Sequence, residues 1–110
     1  MLNNQYKLSY LPLFYDDLNG VVEYIAFEKK NVDAALRLLE SVDEAIKERL
    51  PIAESFEPYM SKYEREYPYY RIYVDNFIVF YVVIDEGDGN KTMEVRRFLY
   101  VGQDRDHIIK

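Results

Sequence analysis

Apolar and polar positions alternate from Gln5 to Tyr10, with Tyr6, Leu8 and Tyr10 on one side and Lys7 and Ser9 on the other. That period of two predicts a half-buried strand at a sheet edge. From Pro12 the period changes. Phe14, Leu18, Val21, Val22 and Ile25 recur at helical spacing, while Asp16, Asp17 and Glu23 mark the wet side. Pro12 and the early acids suit a helix start. Asn31 is a candidate N-cap for a second helix, whose stripe of Val32, Ala35, Leu36, Leu39, Val42, Ile46 and Leu50 is closed by Pro51. The short polar connection makes the two an antiparallel helical hairpin.

The stretch from Tyr69 to Tyr100 reads as three antiparallel strands. Tyr69 to Val74 and Phe77 to Asp85 are rich in Tyr, Val, Ile and Phe, and only Asp75 and Asn76 separate them. A loop of that length sets the register: Val74 faces Phe77, Ile72 faces Val79 and Arg71 faces Phe80. Arg71 therefore lies among apolar residues on one face of the sheet. The middle strand is apolar on both faces and should be central. Glu86 to Lys91, with two glycines, is a polar loop before a third strand from Thr92 to Tyr100. If Asp85 faces Thr92, Arg97 falls opposite Phe80 on the face of Arg71. A one-residue shift would send Arg96 there instead.

Paired amphipathic helices must bury their stripes against another layer. The expected fold is α+β in the order β-α-α-β-β-β, an antiparallel sheet with the helical hairpin packed on one face and the other face partly covered. The segment from Pro51 to Pro68 lacks a clean period and reads as a long ordered connection with a helical turn, of the kind that often lines sites. The last ten residues, Val101 to Lys110, form a polar tail with an apolar end at Ile108 and Ile109.

At 110 residues the chain is expected to be one domain over 1–110. It has no cysteine, which excludes disulfides and thiolate metal sites. With no apolar run long enough for a signal peptide or a membrane span, a cytoplasmic protein is expected. The net charge of -6 argues against a general nucleic-acid coat and leaves room for a local basic patch. The 12 tyrosines suit surfaces where an apolar ring meets a polar rim.

The order and spacing of these segments resemble the RelE/ParE family of toxins from bacterial type II toxin-antitoxin systems. The resemblance is carried by a strand, a helical hairpin with Asp16, Asp17 and Leu18 near its start, the strand Tyr70-Arg71-Ile72, the strand FIVFYVVID, and the ending RFLYVGQDRD. It implies a small α+β toxin held inactive by an antitoxin that wraps it. It also implies one of two targets: the RelE branch cleaves mRNA in the ribosomal A site, and the ParE branch inhibits DNA gyrase without nuclease activity. Arg71 occupies the place of a basic residue on the strand before the hairpin in RelE-type nucleases. The matching position for their catalytic arginine on the next strand is Ile78. After the glycine matched by Gly102, Arg105 fits the nucleases' further arginine only with a one-residue shift, and their terminal tyrosine has no clear equivalent near Lys110.

Metal-independent RNA cleavage needs a base, an acid and positive charge for the phosphorane. Arg71, Arg97 and Arg105 are the candidates for charge, with His107 or Tyr100 handling protons. The plainer readings are a snorkelling Arg71 paired to an acid of the Pro51 to Pro68 segment and a solvated His107 in a terminal tail. Glu64, Arg65 and Glu66 look like a solvated loop, or else supply a general base. Asp16-Asp17 and the acids around Asp85 look like a helix start and a turn, so neither a metal nor a cofactor is expected. Two functions follow: a toxin neutralised by an antitoxin, acting on ribosomes with mRNA or on gyrase, or a non-catalytic interaction module of the same fold that has lost toxicity.

Overall fold

In the computed structural model, residues 6–58 and 67–102 are described. They form strand β1 (Tyr6–Tyr10), helix α1 (Pro12–Glu23) continued by a π-helical turn (Tyr24–Glu28), helix α2 (Val32–Arg49) with a 3-10 turn (Leu50–Ile52), and strands β2 (Tyr70–Val74), β3 (Phe77–Gly87) and β4 (Asn90–Tyr100). The fold is α+β, with the predicted order of elements.

Local chemistry sets most of these boundaries. Pro12 stands at the first turn of α1, where its missing N–H costs nothing. Asn31 caps α2 as expected, its Oδ1 accepting the Ala34 amide at 3.0 Å. At the far end Pro51 converts the helix into the 3-10 turn. In the β2–β3 connection Asp75 adopts φ 54°, which a short polar residue tolerates in a tight turn. Gly87 and Gly89, at φ 92° and 78°, make the β3–β4 turn, where a side chain would be strained.

The strands form one sheet in the order β1-β4-β3-β2. β2, β3 and β4 are the expected antiparallel meander. β1 lies at the edge, as its alternation predicts, but it runs parallel to β4, so the sheet is mixed. The helices cover one face, burying Phe14, Leu18, Leu38, Val42 and Ile46 against Val79, Tyr81, Val95 and Phe98. The second face is more completely covered than expected. Tyr69, Ile78, Phe80, Val82 and Leu99 form a second buried cluster there, which accounts for a central strand apolar on both sides. Among the described residues no helix is long and apolar enough to cross a membrane.

Candidate functional site

The register of β2 against β3 is the predicted one, with Arg71 facing Phe80 and Ile72 facing Val79. The β4 side reaches the predicted pairing by another route. Asp85 faces Lys91 rather than Thr92, a slip of one residue, but a bulge at Arg96 restores the count so that Phe80 faces Arg97. Phe80 is thus flanked across the sheet by Arg71 on β2 and Arg97 on β4.

The bulge changes the facing of the two adjacent arginines, which strict alternation would place on opposite sides. Arg96 bonds Glu94 at 2.8 Å, and Glu94 faces Val82 of the second cluster. Arg97 faces Phe80 of the same cluster. Both therefore lie on the second face, because a bulge inserts one residue without reversing the face of the next. Burial opposes the Arg96 charge, but the bonds it donates to Tyr69 and Glu94 outweigh it and its pKa rises. The guanidinium also lies 5.8 Å from the Tyr69 ring.

Arg97 is tied to α1. Its Nε donates to Asp17 Oδ2 at 2.7 Å and its Nη2 to Asp17 Oδ1 at 2.9 Å. The same carboxylate accepts the Phe98 amide at 2.9 Å. The sequence places Asp17 on the wet side of α1; the structure places it at the β4 edge. The cause is topological: β1 pairs with β4 only as far as Val95, so the Phe98 amide beyond it needs another acceptor. A groove of 580 Å³ opens beside this pair, lined in part by Tyr24, Phe77 and Tyr100.

Arg71 is half-buried on edge strand β2, with its guanidinium 5.8 Å from the ring of Tyr73. Tyr73 is 59% exposed. Tyr100, the alternative proton carrier, is half exposed and packs closely on the chain that follows: a Cβ at Gly102 would lie 2.8 Å from its ring. Arg105, His107 and the trio Glu64, Arg65 and Glu66 lie outside the described residues. Ile78, which the resemblance matches to the nucleases' arginine, is 0% exposed in the second cluster. Asp85 accepts the Gly87 amide within its turn.

The sequence reading missed Arg49, at the end of α2. It donates to the Arg71 carbonyl oxygen at 3.1 Å and to the Tyr81 hydroxyl at 2.9 Å, and its guanidinium stacks 3.6 Å from the centroid of Phe56. The Tyr81 hydroxyl in turn donates to the Ala53 carbonyl at 2.6 Å. Burial raises the Tyr81 pKa, with Arg49 partly offsetting it. A signal was present, since Arg49 continues the buried row Val42 and Ile46 one turn further. Also missed was Glu54, which accepts from Lys91 at 2.7 Å and Tyr6 at 2.9 Å.

The family model for the ParE toxin of the type II toxin-antitoxin system parDE matches residues 8–105. The fold is similar to a solved structure of the chromosomal ParDE toxin-antitoxin system from P. aeruginosa, with a TM-score of 0.66 at 14% identity, covering 90% of this chain and 99% of that one. A comparison with curated proteins gives no match.

Proposed function

The chain belongs to the ParE toxin family of type II toxin-antitoxin systems, and from that premise we propose that it arrests growth in the cytoplasm by inhibiting DNA gyrase, without nuclease chemistry, until a cognate antitoxin neutralises it. The observation that carries the choice of target is the burial of Ile78. The position that gives RelE-type nucleases their catalytic arginine is here a fully buried aliphatic side chain, which has no means of stabilising a phosphorane. Arg97 supports the same reading, because its charge is already matched by Asp17. In this reading Arg71 and Tyr73, on the rim of β2, contact the target.

The test is a pair of assays on the purified toxin. Inhibition of gyrase supercoiling, with intact mRNA on translating ribosomes, is the expected result. Cleavage of ribosome-bound mRNA with gyrase unaffected would overturn it and return Arg71, Arg105 and His107 to catalytic roles. Co-expression with the adjacent reading frame should relieve growth arrest. If the chain induced alone causes no arrest, it is instead an interaction module without toxicity.

A further inference from the structure

Among the described strands β2 stands last in the sheet, with β3 as its neighbour. A strand at the end of a sheet shifts or frays unless something holds it. Arg49 meets this edge. Its Nη1 bonds the carbonyl oxygen of Arg71, the residue placed opposite Phe80, and also the hydroxyl of Tyr81 on the central strand.

The remaining contacts of this guanidinium hold it from two further directions. Phe56, in the segment after the 3-10 turn, packs flat against it. Tyr81, whose hydroxyl is bonded to Ala53, stacks on Tyr70 with ring centroids 5.2 Å apart. Among the described residues no carboxylate bonds Arg49; its acceptors are neutral oxygens. At each of these points stacking or a neutral oxygen holds it. The planar fork joins the end of α2, the segment 53–56, the central strand and the backbone of Arg71 at one point. A lysine, with a single point charge and no plane to stack, cannot reproduce this set.

We infer that Arg49 is a positioning residue: it holds the backbone of β2 at Arg71 and so fixes the direction in which Arg71 and Tyr73 are presented to the toxin's target. This inference rests on the proposed target contact of Arg71 and Tyr73, but the latch itself has a readout that needs no target.

Two measurements test it. The first is amide hydrogen exchange on the toxin alone. In Arg49→Lys, exchange at Ile72 and Val74 should rise by about tenfold while amides in the middle of α2 stay protected, since opening of an edge is a local event. The second is a double-mutant cycle read as the toxin concentration that half-inhibits gyrase. Arg49→Lys should weaken inhibition by about tenfold in the native background and by only about threefold in Arg71→Ala, because the part acting through Arg71 vanishes with it while the part acting through Tyr73 remains. Arg49→Lys keeps the charge and most of the stem, and Phe56→Leu, which removes only the stacking plane, should move both readouts the same way. Unchanged exchange in β2, or an equal loss of potency in both backgrounds, overturns the latch. Native toxin without effect on gyrase would sink the target assignment instead, and the exchange result would still decide the role of Arg49.

Discussion

Asp17 and Arg97 stand 80 residues apart in sequence and form a two-point ion pair, Oδ2 to Nε at 2.7 Å and Oδ1 to Nη2 at 2.9 Å. The contact is mostly shielded from water, with the two side chains 14% and 18% exposed. Together with the Phe98 amide on the same carboxylate, it joins α1 to the part of β4 that β1 does not reach.

Replacing Asp17 by Asn keeps one acceptor for the Phe98 amide and leaves Arg97 without its counter-charge. Stability should fall by about 2 kcal/mol, the range for hydrogen bonds to charged groups. Urea denaturation measures it through a lower midpoint at unchanged slope. A shift no larger than that of an exposed control such as Asp43→Asn would show that the pair contributes little.

Glu54 gives the fold a pH dependence. Its bond from Lys91 is the largest influence and holds its pKa below that of an ordinary glutamate, against an opposing contribution from burial. A carboxyl whose folded pKa is depressed contributes stability above its unfolded pKa, and that stability disappears as pH falls through the folded value. The native protein should therefore lose stability below about pH 4.5 more steeply than Glu54→Gln. Glu54 is 37% exposed, so the difference at neutral pH should stay under about 1 kcal/mol. Parallel acid limbs in the two proteins would remove Glu54 from the account.

Tyr81→Phe removes the hydroxyl that donates to the Ala53 carbonyl and accepts from Arg49. Ala53 is fully buried, so its oxygen is left without this partner. A loss of about 1–3 kcal/mol is expected, seen as a lower melting temperature. Retention of the native melting temperature would mean that the Ala53 oxygen finds a replacement partner at no cost.

Ile78→Val separates packing from contact with the target. As a core residue, Ile78 shortened by one methyl should cost about 0.5–1.5 kcal/mol, with growth arrest preserved once expression is matched. Abolished arrest in a folded Ile78→Val protein would give this position a role beyond the core.

Strong local rules were the legible part of the fold. A two-residue loop left one register for β2 against β3, so Arg71 opposite Phe80 could be read from spacing alone. The N-cap at Asn31 followed from a side chain that bonds its own helix. Long-range facts were harder. The parallel entry of β1 leaves no mark in its alternation, because a half-buried edge strand looks the same in either direction. Asp17 reads as a solvent-side residue since helical periodicity knows only its own helix, and its partners lie 80 and 81 residues away. Arg97 was placed correctly by two compensating departures, a shorter β3–β4 turn and the bulge at Arg96. Arg49 reads as an ordinary basic residue at a helix end until the hydroxyl of Tyr81 and the edge of β2 are beside it.

The extra residue at position 96 lets β4 keep two partners in step at once. From Lys91 to Val95 it follows the beat of β1, and from Arg97 onward it answers to α1. Excising Arg96 would close the bulge and return β4 to plain pleating, with Val95 still opposite Tyr81 and Arg97 still opposite Phe80. What would go is the second cation of that side, with its tie to Glu94. The spare residue thus lets one short run of strand carry two neighbouring charges on one side, where ordinary pleating would permit only one.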